Sequence, residues 1–404
     1  MKWPSCAAWC VNCVGQRGAT ARNLRLSCNP PLASSRSSQQ PPGWGRPLRL
    51  LLRLVLMGVG LGVITGSALK LAGPAVQRGD LTLPSWLTPK VTATKDVQDE
   101  PEDAVVNPPS STDTLGRFET KQELTALSKR WEALAAQDPD LKVSAFMLAL
   151  DDGRYAQLNP DTALPAASAI KTPILLVALE EIDAGRLSWN EPLTLSKTVV
   201  GGGAGWMASK PLGTRFPTHE VATEMIRVSD NTATNLLIER VGGQVDLNAR
   251  FNSLGLSATK VNNWLPDLKG TNTTSARDLA RAIALVDTGE ALSIRGRDLF
   301  REVMGTSVTN RLLPGGLLKG LGGIQGKPDD SLMIKGYRVF NKTGDIGIAY
   351  ADAGLIELPD GRRAVAAFVV KGPFNDPRST ELIRNMAAAM APVLKPKPAP
   401  PRQR

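Results

Sequence analysis

A serine and a lysine stand three residues apart at the start of a strongly apolar segment, and this pair constrains the chain more than any other feature. Ser168 and Lys171 lie within the stretch LPAASAIKTP, and the sequence ILLVALEEIDAG follows. The apolar run predicts a helix through a hydrophobic core that ends at Gly185. A spacing of three places both side chains on one helix face, where an amine that can lose its proton activates a hydroxyl as a nucleophile.

Two later triplets separate this pair from chance matches. The same Ser-x-x-Lys spacing occurs at residues 67–70 and 257–260, so the pair alone is not selective. Downstream of Ser168, however, the chain has Ser-Asp-Asn at residues 229–231 and Lys-Thr-Gly at residues 342–344, and each triplet occurs once. This ordered set is typical of serine enzymes that form acyl intermediates.

The positive charge of the chain is concentrated at its two ends. The formal net charge is +10 and the pI about 9.6, yet residues 1–70 hold nine Lys or Arg and no Asp or Glu. Residues 392–404 add four basic residues, which leaves the middle of the chain slightly acidic. Because nucleic-acid binding requires a basic surface on the folded part, we expect no nucleic-acid partner.

The N-terminal quarter lacks the pattern of a folded domain. Residues 1–46, rich in Arg, Ser, Pro and Gly, predict a disordered basic leader, or a start assigned upstream of the true one. Residues 47–71 include the uncharged run 54–69 and predict a transmembrane anchor through residues 50–71 or a cleaved secretory signal. Residues 72–116 predict a solvated linker.

The basic residues before the apolar run predict a cytoplasmic N-terminus and export of the rest of the chain. We therefore expect the body, residues 117–394, to be membrane-anchored or secreted, with its site on the periplasmic side. A buried helix of a soluble protein is the alternative for the apolar run. Residues 395–404, KPKPAPPRQR, predict a disordered tail.

Cysteine and histidine are too sparse for a metal centre. Cys6, Cys10, Cys13 and Cys28 all precede the body, and His219 is the single histidine of the chain. The Cys10 and Cys13 pair lacks the second pair that a zinc site needs. We expect no metal and no cofactor, and we expect His219 to cap its helix or face solvent.

Strand patterns at both ends of the body flank a helical centre. Residues 142–150 and 154–158, joined by Asp-Asp-Gly, predict a hairpin before the serine helix. The centre, from the predicted N-cap Thr218 to about residue 303, has helical periodicity. The later elements are strands at residues 336–340, 346–358 and 362–370 and a helix at residues 379–394. We predict an α/β (α+β) fold, with one antiparallel sheet completed by both chain ends and packed by helices.

By these features, residues 117–394 resemble the serine β-lactamases and penicillin-binding proteins, and most closely the class A β-lactamases. The segment MIRVSDNTATNLLIERVGG, residues 225–243, resembles two helices of that family and the Ser-Asp-Asn loop between them. Residues 341–350 resemble its active-site edge strand, and residues 271–280 resemble the segment after its omega loop. The resemblance also implies an all-helical subdomain beside the sheet.

The resemblance implies catalytic roles for four residues. Ser168 attacks an acyl carbon to form an acyl-enzyme, and Lys171 accepts its proton, which requires a lysine pKa well below the ordinary value. Ser229 relays a proton to the leaving nitrogen. The backbone N–H groups of Ser168 and Asp345 form an oxyanion hole, which contributes about 3 to 4 kcal/mol per donor.

The resemblance further implies a substrate-binding set. Asn231 hydrogen-bonds a substrate amide, Lys342 and Thr343 hold a substrate carboxylate, and Gly344 belongs to the same strand. The implied substrate is a β-lactam or a peptidoglycan peptide. Each residue also has a purely structural interpretation, such as a helix cap at Ser168 or a strand bulge at Gly344.

The loop WLPDLK, residues 264–269, departs from the class A pattern W-E-P-E-L-N. Leu265 stands where that family has the glutamate that positions the hydrolytic water, and Lys269 stands where it has an asparagine. Loss of a general base commonly lowers a rate by about 10² to 10⁴. We expect impaired deacylation, unless Asp267 or Asp345 substitutes for the glutamate or the alignment is shifted by one residue.

The sequence therefore predicts a serine hydrolase of β-lactamase type that forms an acyl-enzyme on Ser168 and deacylates slowly or atypically. The enzymatic alternatives are a D-alanyl-D-alanine carboxypeptidase or transpeptidase and an esterase acting on cell-wall material. A wall-binding module without turnover is the alternative from another class, although such a module gains nothing from Lys171.

Overall fold

The computed structural model of the protein describes residues 118–324 and 327–396. The predicted leader, apolar segment and linker, residues 1–116, lie outside the described residues, and so does the predicted tail beyond residue 396. Among the residues that the structure describes, no helix is long and apolar enough to cross a membrane.

Strands occur at both ends of the described chain and as short pairs between them. In chain order they are β1 (Gln122–Glu123), β2 (Lys142–Ala149), β3 (Arg154–Leu158), β4 (Leu164–Pro165), β5 (Pro192–Thr194), β6 (Arg215–Pro217), β7 (Thr273–Thr274), β8 (Arg338–Asp345), β9 (Ala349–Glu357) and β10 (Arg363–Lys371). The main sheet has the order β1-β3-β2-β10-β9-β8, while β4 pairs with β7 and β5 with β6.

The helices lie mainly between the two groups of strands. In chain order they are α1 (Thr125–Ala135), α2 (Lys171–Asp183), α3 (Thr218–Arg227), α4 (Asn231–Arg240), α5 (Gly243–Ser253), α6 (Ala276–Asp287), α7 (Ile294–Met304), α8 (Leu313–Gly320), α9 (Pro328–Ile334), α10 (Pro377–Ala389) and α11 (Ala391–Leu394). Short 3-10 turns at Ala167–Ile170 and Met207–Ser209 complete them.

The two ends of the chain meet in the middle of the main sheet. Strand β2 pairs antiparallel with β10 in a register that places Phe146 opposite Ala367. The N-terminal hairpin β2–β3 thereby joins the C-terminal strands β8, β9 and β10 in one sheet, and only β1 runs parallel to its neighbour. The predicted fold, a sheet completed by both chain ends and packed by helices, is confirmed.

Apolar side chains pack against both faces of this sheet. One buried cluster joins the sheet to α2, α6 and the helices α3 to α5, and it contains Ile174 and Phe146. The opposite cluster joins the sheet to α1 and α10, with Trp131 and Phe368 in edge-to-face contact at 5.5 Å between ring centroids. Helix α2 is buried at every residue from Lys171 to Glu180, and its apolar residues from Ile174 to Leu179 face neighbouring elements on all sides. It therefore holds its N-terminus rigidly.

The strand that carries the Lys-Thr-Gly triplet is longer than the sequence predicts. The predicted strands at residues 336–340 and 346–358 are wrong in their bounds, because β8 continues through Gly344 to Asp345 and β9 begins only at Ala349. The turn lies at Gly347, which has φ = +77° and donates its N–H to Asp345 Oδ1 over 2.8 Å. The triplet is therefore part of a regular edge strand.

Two predicted helix termini also differ from the structure. Thr218 is the first helical residue after the N-cap Pro217, and its hydroxyl donates to the carbonyl of Glu191 instead of capping. The predicted helix at residues 379–394 is divided at Met390, because Pro392 lacks the N–H that would continue it. Neither difference moves the site.

Candidate active site

Ser168 and Lys171 meet where a 3-10 turn enters the buried helix α2. Ser168 lies in the turn Ala167–Ile170, and Lys171 is the first residue of α2. Lys171 is fully buried, and its Nζ lies 3.1 Å from Ser168 Oγ. Ala167 has φ = +46°, a conformation that a residue other than glycine adopts only under constraint. The turn thus presents a half-buried hydroxyl to a buried amine.

The Ser-Asp-Asn triplet surrounds the same amine from the junction of α3 and α4. Lys171 Nζ lies 2.6 Å from the carbonyl oxygen of Ser229, 2.9 Å from its Oγ and 2.9 Å from Asn231 Oδ1. Ser229 has φ = +63°, so this second non-glycine residue also has a strained backbone at the site. The chain reversal at Ser229 is what brings its hydroxyl and its carbonyl to one nitrogen.

Asp230, the middle residue of the triplet, has a structural role. One of its carboxylate oxygens accepts the N–H of Ala233 over 2.9 Å and so caps α4. The other oxygen accepts the N–H groups of Trp206 and Met207 over 2.7 and 2.9 Å. Asp230 therefore caps the helix, as the structural interpretation of the triplet predicts, while its neighbours Ser229 and Asn231 contact Lys171.

The Lys-Thr-Gly triplet lies on edge strand β8 against the serine turn. Lys342 is fully buried and donates from Nζ to the carbonyl of Thr343 over 2.7 Å. A Cβ atom at Gly344 would lie 2.9 Å from the backbone nitrogen of Ser168 and 2.8 Å from that of Ala169. Gly344 is thus the point where β8 approaches the serine turn too closely for any side chain.

Burial and like charge set the protonation of the two lysines. Burial lowers the pKa of Lys171 well below its ordinary value, the charge of Lys342 lowers it further, and Asp230 opposes both effects. Burial also lowers the pKa of Lys342 to about 8, against the opposing charge of Asp352. Near neutral pH, therefore, Lys171 is suited to accept a proton while Lys342 remains largely cationic.

Ser168 opens into a cavity of about 350 Å³ between β8 and the loop at residues 264–269. Its glycine wall consists of Gly202 and Gly203, and a Cβ atom at Gly202 would meet no atom within 4 Å. The opposite wall includes Leu265 from the loop and Ile346 from the turn after β8. The cavity is therefore apolar at the wall of Leu265 and Ile346 and has free space at the wall of Gly202 and Gly203.

Leu265 is held in the cavity wall by Asn235 of helix α4. Its N–H donates to Asn235 Oδ1 over 2.9 Å, and its carbonyl accepts from Asn235 Nδ2 over 2.8 Å. Leu265 is buried, and the peptide bond to Pro266 is cis. The two hydrogen bonds between Asn235 and the backbone of Leu265 therefore fix the apolar side chain of Leu265 in this wall.

The neighbouring carboxylates are engaged elsewhere. Asp267 is buried and accepts from Thr271 Oγ1 over 2.9 Å and from the N–H of Asn272 over 2.6 Å, both just after the loop. Asp345 is exposed and accepts the N–H of Gly347, and Lys269 is exposed. The structure thus brings Ser168, Lys171, Ser229 and Asn231 into direct contact, whereas the candidate substitute bases lie in other hydrogen bonds.

Residues 126–394 match the model of the beta-lactamase enzyme family, which is more than half of the chain. The chain belongs to that family. Extended-spectrum beta-lactamase PER-1 of Pseudomonas aeruginosa is 26% identical over 293 residues, which are 69% of this chain and 90% of the relative. Carbapenem-hydrolyzing beta-lactamase KPC of Klebsiella oxytoca is 24% identical over 275 residues, 64% of this chain and 87% of the relative.

Among solved structures, PBP-A is 40% identical to this beta-lactamase family member, with a TM-score of 0.62, and the match covers 68% of this chain and 97% of PBP-A. A leucine-to-glutamate mutant of PBP-A, solved as an acyl-enzyme complex with penicillin G, matches with the same identity and TM-score over 68% of this chain and 98% of that chain. The resemblance of the domain to serine β-lactamases and penicillin-binding proteins is confirmed.

A second polar cluster on β8 is not apparent in the sequence. Asn341 Nδ2 donates to Asp352 Oδ1 over 2.8 Å and to the carbonyl of Thr309 over 2.9 Å, and Thr343 Oγ1 donates to the same carbonyl over 2.9 Å. Asp352 is fully buried, and burial raises its pKa to about 7. Only the cross-strand register, which pairs Thr343 with Asp352, reveals this cluster.

The remaining predictions concern metals and histidine. His219 is exposed on α3, with Nδ1 3.3 Å from the carbonyl of Trp189, and it does not line the cavity. Among the described residues, no group of His, Cys, Asp or Glu is arranged to hold a metal ion. The four cysteines lie outside the described residues.

Proposed function

We propose that this protein is a serine acyl hydrolase that forms an acyl-enzyme on Ser168 with a β-lactam, or with the cell-wall peptide that a β-lactam mimics, and releases the acyl group slowly. The observation that carries the proposal is the environment of Lys171. Its fully buried amine lies 3.1 Å from Ser168 Oγ, and its pKa is lowered by burial and by Lys342. A neutral amine at this place takes the serine proton during attack.

In the proposed acylation step, Ser168 Oγ forms a bond to the acyl carbon while its proton passes to Lys171 Nζ. The carbon–nitrogen bond of the donor then breaks, and the leaving nitrogen receives a proton through Ser229 Oγ, which lies 2.9 Å from Lys171 Nζ. The N–H groups of Ser168 and Asp345 stabilise the oxyanion. The close approach of Gly344 to the Ser168 nitrogen supports this pairing of donors.

The cationic strand orients the donor in this proposal. Lys342 and Thr343 hold its carboxylate, for which the Thr343 hydroxyl turns away from the carbonyl of Thr309. Asn231 lines the cavity and holds the donor's amide in exchange for its present contacts, in which its Oδ1 is 2.9 Å from Lys171 Nζ and its Nδ2 donates to the carbonyl of Gly202 over 2.8 Å. The penicillin G acyl-enzyme of the PBP-A mutant supports a β-lactam as the acyl donor. Such donors act outside the cytoplasm, so the proposal includes export, with residues 47–71 as anchor or cleaved signal.

Slow release follows from the loop at residues 264–269. Hydrolysis of the acyl-enzyme requires a base beside the ester. The loop contributes the isobutyl group of Leu265 to the cavity wall, and this group cannot accept a proton. Both oxygens of Asp267 accept hydrogen bonds, from Thr271 and Asn272 just after the loop. Together these observations support an enzyme that acylates readily and deacylates poorly.

A D-alanyl-D-alanine carboxypeptidase or transpeptidase is the second candidate. Such an enzyme uses the same acylation step on a peptide, and the open wall at Gly202 and Gly203 leaves room for an extended donor. An esterase would use the same serine and lysine and stays an alternative. A wall-binding module without turnover is weaker, because it does not explain a lysine buried beside a serine.

Incubation with penicillin G followed by intact-mass analysis tests the proposal. We expect a persistent adduct on the wild type and none on Ser168→Ala. Ser257→Ala is the matched control, because Ser257 and Lys260 have the same spacing at an exposed place. Absence of an adduct on the wild type would refute the acyl-enzyme, and adduct loss within seconds would refute slow release.

A second arm of this experiment adds the missing base. We expect Leu265→Glu to shorten the adduct lifetime by roughly 10²-fold, since a positioned general base contributes about 10² to 10⁴. Leu265→Gln, which has the same shape without a base, should leave the lifetime near that of the wild type. Equal lifetimes for the Glu and Gln variants would show that the loop does not control deacylation.

A further inference from the structure

The side chain of Asp345 is a charged group at the mouth of the cavity that the proposed chemistry does not use. It is exposed, whereas Asp267, the other acidic residue that lines the cavity, is buried with both oxygens engaged. The N–H of Gly347 donates to Asp345 Oδ1 over 2.8 Å. This hydrogen bond holds the carboxylate at the end of β8 instead of leaving it free to turn into solvent.

The register of β8 places this carboxylate beside the proposed carboxylate subsite. Side chains two apart on a strand share a face, so Asp345 follows Thr343 on the same face at about 7 Å. Gly344, between them, faces the backbone nitrogen of Ser168. A donor that acylates Ser168 with its own carboxylate at Lys342 and Thr343 therefore lies alongside the negative charge of Asp345.

An exposed aromatic ring lies next to the residue that anchors Asp345. Phe374 is 70% exposed, and a Cβ atom at Gly347 would overlap its ring. The carboxylate of Asp345 and the ring of Phe374 thus both contact the turn at Gly347, and a carboxylate next to an aromatic ring attracts an organic cation through its charge and through the ring quadrupole.

We propose that Asp345 and Phe374 form a subsite for an organic cation carried next to the carboxylate of the acyl donor. The preferred donors are thus zwitterionic at the leaving-group end, such as a β-lactam with a pyridinium or quaternary ammonium substituent, or a peptide ending in a basic D-amino acid. The inference rests on the proposed acylation of Ser168. A donor with a carboxylate alone meets repulsion from Asp345 that the cation relieves.

A matched pair of cephalosporins tests this subsite. Cephaloridine and cephalothin share one acyl side chain and differ at the 3′ position, where the first has a pyridinium and the second a neutral acetoxy group. The second-order rate of adduct formation is measured for both by intact mass, and the quantity compared is their ratio. We expect the ratio to fall by roughly three- to tenfold in Asp345→Asn, the size of one screened charge interaction.

The variants are chosen to separate charge from shape. Asp345→Asn keeps the backbone N–H and the side-chain oxygen, and Phe374→Leu keeps apolar bulk without a ring, so both should lower the ratio. Asp298→Asn removes an equal charge from an exposed site on α7 away from the cavity and should keep the wild-type ratio. Raising the salt concentration should lower the ratio in the wild type and leave it nearly constant in Asp345→Asn.

The outcomes distinguish this subsite from the proposed function. If Asp345→Asn and Asp298→Asn give the same ratio as the wild type while all three are acylated, the cation subsite is wrong and the acyl-enzyme stands. If neither cephalosporin nor penicillin G labels Ser168 in the wild type, the proposed function fails and the subsite fails with it.

Discussion

Lys171 and Lys342 are both fully buried, yet the proposed chemistry needs one neutral and one charged. Their environments differ in the direction required. The charge of Lys342 adds to burial in lowering the pKa of Lys171. At Lys342 the charge of Asp352 opposes the effect of burial, and the pKa of Lys342 is lowered only to about 8. Two lysines in one cleft thereby acquire separate roles through burial and the nearest charge.

The rate of acylation should show two limbs with pH. It should rise as Lys171 loses its proton, below the ordinary lysine range, and fall above about pH 8 as Lys342 loses the charge that holds the donor carboxylate. In Lys342→Arg the alkaline fall should move to higher pH, because a guanidinium stays charged. The check is the second-order rate of penicillin labelling from pH 5 to 10. An alkaline limb unchanged in this variant would remove Lys342 from the explanation.

At the scale of elements, the site depends on how closely edge strand β8 approaches the serine turn. Gly344 has no positive φ, so its backbone does not demand glycine, and the requirement comes from packing alone. The cluster of Asn341, Thr343 and Asp352 holds β8 to the carbonyl of Thr309. The strand is thereby held between the serine turn and the segment that precedes α8.

Gly344→Ala should therefore slow acylation as well as lower stability. The added methyl group would lie under 3 Å from two backbone nitrogens of the serine turn, which cannot move far because α2 is buried. A displacement near 1 Å costs about 10²-fold in rate, while overpacking costs about 1 to 3 kcal/mol of unfolding free energy. Labelling kinetics and urea unfolding measure the two effects.

The matched control for this prediction is Gly315→Ala on helix α8. Its Cβ atom would meet its nearest neighbour at 3.5 Å, an ordinary contact, and alanine favours a helix over glycine. This variant should keep the labelling rate and retain or slightly increase stability. Equal rate losses in both glycine variants would mean that the close contact of Gly344 with the serine turn does not control acylation.

At the scale of the whole molecule, one sheet connects the active site to a core on its far side. Ile170, the last residue of the serine turn, belongs to the apolar cluster on one face, and Phe368 belongs to the cluster on the other. Both clusters are built on strands that pair the N-terminal hairpin with the C-terminal strands. We expect the described domain to unfold as one cooperative unit because neither face can form its sheet alone.

Phe368→Ala tests this expectation. Removing the ring leaves a cavity beside Trp131 and should lower the unfolding free energy by about 3 to 5 kcal/mol. Urea midpoints from tryptophan fluorescence and from loss of Ser168 labelling should shift together. Val245→Ala, at a highly exposed place, should change stability by about 0.5 kcal/mol or less. Separate shifts of the two midpoints would show that the site unfolds independently.

The features that the sequence determined by itself are local or carried by motif order. The apolar run predicted α2, and the strand patterns at both ends of the body predicted the sheet. The order of the three motifs indicated the family, and both the fold and the family are confirmed. These inferences succeed because near neighbours along the chain decide helix faces and strand alternation. The roles of the individual site residues stay predictions.

Only the tertiary structure decided how the site is held. Asn235 clamps Leu265 from 30 positions away, Asp352 reaches Asn341 across the β8–β9 register, and Phe374 stands over the turn that anchors Asp345. The burial that lowers the pKa of Lys171 likewise comes from elements far along the chain. Such contacts depend on which surfaces meet when the sheet closes, and a linear pattern contains no distances between them.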